Sequence, residues 1–145
     1  MIRSYAVVVH LGIRATTPIA IVVGSYLLFA GHNRPGGGFA AGLVFGAVLT
    51  LRTVAGLQRP SHGSGLIALG VAIVAATAAA PLLVGAPFLD QGLLSGDLPL
   101  FGEVKAGSAL IFDIGVTAIV VGLVAALLDG VADDHLAAET TEPTA

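Results

Sequence analysis

The segment GLIALGVAIVAATAAAPLLVGA, residues 65–86, contains no charged side chain. It is long enough to cross the hydrocarbon core of a bilayer, which takes about 20 apolar residues. Three further apolar segments lie at about residues 11–30, 39–56 and 106–128. Only 10% of the chain is charged, against about 25% in soluble domains. Because so few charges cannot cover a water-facing surface, the sequence predicts an all-α integral membrane protein with four transmembrane helices.

The basic residues predict the orientation of these helices. Four spans place both termini on one side, which carries Arg3, Arg14, Arg52 and Arg59, whereas the other side carries Arg34 and Lys105. By the positive-inside rule, both termini are predicted to be cytoplasmic. The predicted membrane domain covers residues 1–130, and a polar acidic tail that we expect to be frayed covers residues 131–145.

The connections between the spans differ in length. The segment LQRPSHGS, residues 57–64, indicates a short turn between the second and third spans. The connection at residues 87–105 is longer and combines Gly, Pro and Asp with Leu and Phe. Its apolar residues indicate a loop that lies on other protein or dips into the membrane interface.

Several classes of function are excluded by what the sequence lacks. It has no cysteine, and it shows no paired carboxylates, no Ser/His/Asp set and no nucleotide-binding loop. It also has no basic stripe of the kind that binds nucleic acid. The sequence therefore predicts no catalytic chemistry of its own, no cofactor, no metal site and no nucleic-acid partner.

Glycines recur at the start of the second span. Gly38, Gly42 and Gly46 are four residues apart and would form a flat strip on one face of a helix. Such a strip lets another helix backbone approach closely, which is the main source of attraction between helices in lipid. Two partners are open: a helix of the same four-helix unit, or a helix of a different subunit.

The segment before this strip is polar and flexible. Pro35, Gly36 and Gly37 precede the helix and leave backbone amides uncovered by side chains, at a helix end that favours acceptors. His32 and Asn33 would lie at the membrane edge, where they could bind backbone, water or a partner.

Asp113 is the residue of the fourth span that most suggests a function, because an ionisable group inside a membrane is costly. Thr117 shares its helical face, whereas Gly115 and Gly122 lie on the opposite face, which predicts a helix buried on both sides. Lys105 would lie about two turns away and point about 80° aside. Asp113 is therefore satisfied locally by Thr117 or a backbone group, or it is protonated or paired with a group of another subunit.

Two blocks of the sequence resemble a known family. GHNRPGGGFAAGLV, residues 31–44, resembles the signature of the MnhB/MrpB family, one of the small membrane subunits of Mrp-type multisubunit cation/proton antiporters. LFGEVKAGSALIFDIGVTAIVVGLV, residues 100–124, is similar to the last-helix segment of that family. The resemblance covers residues 11–128. Ala41 stands where the family often has a further glycine, and Thr117 where an aromatic residue is common.

The resemblance implies a protein of the bacterial inner membrane that works in a complex with the other Mrp subunits, which are A, C, D, E, F and G. That complex exchanges sodium for protons, and membrane lipid surrounds it. The MnhB/MrpB subunit would be required for assembly and could contribute to the sodium path, chiefly through Asp113, His32 and Asn33. Three alternatives remain open: a purely structural scaffold, the equivalent subunit of a membrane-bound hydrogenase-type module, and a freestanding four-helix transporter or channel.

Overall fold

Four α-helices form within the described part of the chain. The computed structural model describes residues 2–31, 36–59, 61–85, 93–98 and 102–140. The helices are α1 (Ile2–Ala30), α2 (Gly38–Val54), α3 (Gly63–Ala79, extended by a 3-10 turn over Ala80–Val84) and α4 (Ser108–Thr140). Three of them are long and apolar enough to cross a membrane, and α2 is a shorter apolar helix of 17 residues. The prediction of a four-helix membrane protein is confirmed.

The order of the helices in space differs from their order in the chain. Helix α4 packs between α2 and α3, and α1 packs on the outer side of α2. The helices thus form a layer in the order α1, α2, α4, α3. Within the described residues α1 has no extensive contact with α3, and neither does α2. A layer of this kind buries only the edges at which neighbouring helices meet.

A two-stranded hairpin lies in the long connection between α3 and α4. Strand β1 (Leu93–Leu98) pairs antiparallel with β2 (Gly102–Gly107), with Leu93 opposite Gly107 and Leu98 opposite Gly102. Strand β2 leads directly into α4 at Ser108. The sequence indicated only a loop here, so the hairpin adds a short β element to an otherwise helical protein.

The hairpin corrects two details of the predicted fourth span. The sequence predicts a span from about residue 106, with Lys105 on the same helix, but Lys105 belongs to β2 and α4 begins at Ser108. The predicted angle between Lys105 and Asp113 therefore does not apply.

The carboxyl-terminal end of α4 lies further along the chain than the predicted span. Helix α4 continues to Thr140, into the stretch expected to be frayed, where Ala, Leu and Glu are good helix formers. A separate tail over residues 131–145 stays a prediction, and residues 141–145 lie outside the described part.

The helices pack through small side chains. The buried apolar residues among those described are Ala41, Ala78 and Ala125, whereas large side chains such as Val54 and Leu83 are 79% and 90% exposed. In the most apolar stretches of α1, α3 and α4, only 6%, 11% and 17% of the residues are buried. Most of the helix surface is therefore left for lipid or for other protein.

The end of the layer that carries the amino terminus is held by a polar contact between helices. His10 in α1 donates a hydrogen bond from Nε2 to the carbonyl oxygen of Ala55, at 2.8 Å. Ala55 directly follows α2, so the bond fixes how α1 and α2 align along their length. A nearby bond of 3.0 Å runs from Arg52 Nε to Gln58 Oε1.

Candidate functional site

The connection from α1 to α2 folds back onto the end of α1. Gly37 donates a backbone hydrogen bond to the carbonyl oxygen of Leu27, at 2.9 Å. Gly37 has φ 95° and ψ −177°, a combination that is essentially restricted to glycine. Gly36 passes so close to Leu27 that a Cβ at residue 36 would lie 2.6 Å from the Leu27 oxygen. The glycines at these two positions thus allow a sharp reversal between the two helices.

Asp113 of α4 meets this reversal. A Cβ built on Gly31 would lie 3.1 Å from Asp113 Oδ2, and one built on Gly37 would lie 3.4 Å from the same atom. A Cβ on Gly38 would collide with the Asp113 carbonyl oxygen. The half-buried Asp113 carboxylate therefore lies where the end of α1, the start of α2 and the first turns of α4 come together.

Thr117 joins α4 to α2 by a hydrogen bond. Its hydroxyl lies 2.9 Å from the carbonyl oxygen of Gly38 and 2.8 Å from that of Asp113, and its single proton is shared between these acceptors. Thr117 thus contacts the backbone of Asp113 and not its carboxylate. None of the described residues donates a hydrogen bond to that carboxylate.

The start of α2 supplies a favourable field for the Asp113 carboxylate. Gly37 is the N-cap residue of α2, and the amino-terminal end of a helix carries a partial positive charge. The carboxylate lies beside this end, where a negative charge is stabilised without a cationic side chain. Among the residues whose side chains are described, no cluster of three His, Asp or Glu side chains could hold a metal ion.

The glycine strip of α2 lies against α4 of the same chain. A Cβ at Gly42 would be 2.7 Å from Val120 Cβ, and one at Gly46 would be 3.0 Å from Val124 Cγ2. Together with Gly38, these residues let α2 approach the face of α4 that carries Asp113. The sequence left open whether this strip packs on the same chain or on another subunit. In the structure it packs on α4 of the same chain.

The opposite face of α4 meets α3 through a second set of glycines. A Cβ at Gly115 would lie 3.0 Å from the Gly70 oxygen, and one at Gly122 would lie 2.9 Å from the Gly63 oxygen. Gly63 and Gly70 are seven residues apart, as are Gly115 and Gly122, so the two antiparallel helices meet glycine to glycine at both levels. The two-sided packing of α4 follows from these contacts.

Some of these residues were not singled out from the sequence. Gly31, Gly63 and Gly70 were missed, although the equal seven-residue spacing of the two glycine pairs was a usable signal. His32, Asn33 and Pro35 lie outside the described residues, so their predicted role at the membrane edge stays a prediction.

Replacing Thr117 by valine is expected to destabilise the chain by about 1 kcal/mol, a typical value for a hydrogen bond between membrane helices. The matched control is Thr77→Val, because the Thr77 hydroxyl bonds only to the Ile73 oxygen of its own helix. The free energy of unfolding of the purified chain in detergent measures both changes. Equal values for the two variants would contradict a role for Thr117 in joining α2 to α4.

Known proteins resemble this chain over most of its length. The family described as "Domain related to MnhB subunit of Na+/H+ antiporter" matches residues 8–126. The B-type subunit of the Na(+)/H(+) antiporter of Alkalihalophilus pseudofirmus is 34% identical over 141 residues, which is 93% of this chain and 98% of that protein. A chain in the structure of the Mrp complex from Dietzia sp. DQ12-45-1b matches with a TM-score of 0.75 and 30% identity, over 88% of this chain. This chain spans only 14% of that longer one.

Proposed function

The chain belongs to the family related to the MnhB subunit of Na+/H+ antiporters, and from this membership we propose that it is a small membrane subunit of a multisubunit Na+/H+ antiporter. Its relative in Alkalihalophilus pseudofirmus is named as a subunit of such an antiporter, and its structural match lies in an Mrp complex. The protein is a multi-pass membrane protein, and its proposed role is in transport. Its proposed location is the bacterial inner membrane, with both termini in the cytoplasm.

The proposed partners are the other Mrp subunits, A, C, D, E, F and G, of the same antiporter, with sodium ions and protons as the transported species. The layered fold supports dependence on neighbouring subunits, because both faces of the layer are open and largely apolar. Non-helical backbone at membrane depth is tolerated where other protein or a water-lined cavity covers it. The reversal at Gly36 and Gly37 therefore also supports a covering neighbour.

The observation that carries an ion-path role is the position of the Asp113 carboxylate. It lies five residues into α4, about 7 Å along the helix axis, beside the non-helical backbone of the α1–α2 connection. An acidic group of this kind inside a membrane protein marks an ion or proton pathway by default. We propose that the carboxylate offers a negative site to a passing cation or proton.

A purely structural role is the second candidate, and the glycine contacts of α4 support it. Close packing on two faces makes α4 the centre of the layer, so this helix would hold the subunit in shape for its neighbours. In that case Asp113 would contribute only to the local fold.

Replacing Asp113 by asparagine separates the two candidates, because asparagine keeps the shape of the side chain but removes its charge. If the carboxylate serves the ion path, the complete complex assembles normally and loses most of its sodium-driven proton flux in inverted membrane vesicles. Assembly is followed by pull-down of the other subunits.

The control for this experiment is Asp129→Asn, which removes an exposed carboxylate from the far end of the membrane-spanning part of the same helix. This variant is expected to keep its flux. Normal flux in Asp113→Asn would refute the ion-path role and leave the scaffold role. Lost assembly of Asp113→Asn would instead show that the charge holds a neighbouring subunit in place.

A further inference from the structure

Helices α1 and α2 leave a groove on each side of the line along which they meet. The first, which we call the arginine groove, has a volume of about 290 Å³. It is lined by Thr17, Ile21, Phe45, Val48, Leu49, Arg52 and Gln58. Its depth is apolar, and its polar groups lie towards the end of the layer that carries the amino terminus. Phe45 lies at the other end of the lining, and its ring packs on Gly24 of α1.

Arg52 supplies a positive charge at the mouth of this groove. Its Nε donates to Gln58, which is neutral, so the contact orients the guanidinium group and leaves its charge uncompensated. Within the described part of the chain, no carboxylate pairs with Arg52 or with Arg14. The terminal nitrogens of Arg52 remain available for a planar, two-bond contact with a phosphate or carboxylate.

Arg14 lies at about the same depth as Arg52, on the side of α1 that faces the arginine groove. The bond between His10 and Ala55 aligns the two antiparallel helices, so Arg14 is level with residue 51. Around α1, Arg14 lies about 20° from Ile21, a residue that lines the arginine groove. The exposed Arg14 and the half-buried Arg52 thus lie at the same end of the arginine groove.

The groove on the other side of α1 and α2 has no such charge. It has a volume of about 210 Å³ and is lined by Ile13, Thr16, Thr17, Ala20, Val44, Ala47, Val48 and Leu51. Both grooves are lined mainly by apolar side chains, and of the two only the arginine groove combines them with a cation. This difference indicates an amphipathic occupant for the arginine groove and uncharged hydrocarbon for the other.

We propose that the arginine groove binds an anionic phospholipid, with an acyl chain against Ile21, Phe45 and Val48 and the phosphate on Arg52 and Arg14. The arrangement meets the requirements of such a site, because basic pockets between transmembrane helices near the membrane surface bind anionic head groups. Hydrocarbon fills the apolar depth, and the arginines lie at the level where a head group would be. The lipid would therefore be a bound component of the subunit at the outer helix of the layer.

The test uses the complete antiporter complex in bilayers that contain a phospholipid with a photoreactive acyl chain. Phosphatidylglycerol and phosphatidylcholine carry the same reactive chain in parallel experiments, and labelled residues of this subunit are identified by mass spectrometry. We expect Ile21, Phe45 and Leu49, which line the arginine groove and not the other one, to be labelled more by phosphatidylglycerol. Ala20, Val44 and Ala47 of the uncharged groove are the internal control and should be labelled equally by both lipids.

Variants at the mouth test the role of the charge. Arg52→Gln is expected to lower labelling of the arginine groove by phosphatidylglycerol about fivefold, since a basic residue near an anionic surface contributes about 1 kcal/mol. Arg52→Lys keeps the charge but cannot make the two-bond contact, so it should lose less labelling than Arg52→Gln. Arg59→Gln, which removes an exposed charge that does not line the groove, should leave it unchanged.

Each of four results would overturn the proposal. They are equal labelling of the arginine groove by the two lipids, unchanged labelling in Arg52→Gln, an equal loss in Arg59→Gln, and no labelling because a neighbouring subunit fills the groove. Pull-down verifies assembly of every variant. Where Arg52→Gln does not assemble, Arg14→Gln gives the same comparison, and an unchanged ratio between the two lipids then refutes the site.

Discussion

Replacing Gly70 by alanine is expected to destabilise the packing of α3 on α4 by roughly 2–3 kcal/mol, the upper part of the usual range for overpacking. The added methyl group would lie 2.6 Å from the Gly115 oxygen and 2.8 Å from the Ile119 nitrogen. Both are backbone atoms, which cannot rotate away as the end of a side chain can. The two helices would have to separate, and the reciprocal contact at Gly63 and Gly122 would be strained with them.

The matched control is Gly65→Ala in the same helix. A Cβ at residue 65 would have no neighbour within 4 Å, so the change adds helix propensity without a clash and is expected to be neutral or slightly stabilising. Unfolding of the purified chain in detergent, by heat or by added denaturing detergent, measures both variants. If Gly70→Ala and Gly65→Ala unfold at the same temperature or at the same concentration of denaturing detergent, the close approach of α3 and α4 at this level is wrong.

Replacing Gly37 by alanine is expected to disturb both the fold and the position of Asp113. At φ 95° and ψ −177° a non-glycine residue costs about 1–3 kcal/mol. In addition, the new methyl group would contact Asp113 Oδ2 at 3.4 Å and Oδ1 at 3.5 Å, which covers the carboxylate with hydrocarbon. We therefore expect a lower free energy of unfolding, and a sodium-driven proton flux that falls further than the loss of assembled complex explains.

Gly56→Ala separates the two effects. Gly56 also has a positive φ, of 70°, but a Cβ there would meet nothing within 4 Å. It shares the positive φ and lacks the contact with Asp113, so Gly56→Ala should lower stability while flux per assembled complex stays normal. The same flux per complex in the Gly37 and Gly56 variants would contradict a role for the space around the Asp113 carboxylate.

The sequence predicts the helices well because the membrane simplifies the problem. Long apolar runs identify α1, α3 and α4 by length alone, and α2 follows from its shorter run. The two-sided burial of α4 was also predictable, because Asp113 and Thr117 lie on one face and Gly115 and Gly122 on the other. The contacts of these glycines with α2 and α3 agree with that angular pattern.

The site was harder to predict, because it joins distant parts of the chain. Thr117 and Gly38, which share a hydrogen bond, are 79 residues apart, and their meeting depends on which helices are neighbours. Hydrophobic periodicity says which face of a helix is buried but not which helix covers it. The hairpin was missed for a related reason: its strands contain Gly and Asp, which are poor strand formers, and pairing with each other defines them.

The position of α4 between α2 and α3 has a consequence for biosynthesis. Helix α4 is made after both of its neighbours, so α2 and α3 enter the membrane with their glycine faces uncovered. Until α4 arrives, those faces are open to close packing by other helices. During this interval the new chain is open to mispairing and to membrane proteases. The rate at which α4 inserts would then affect how much of the protein is available to its complex.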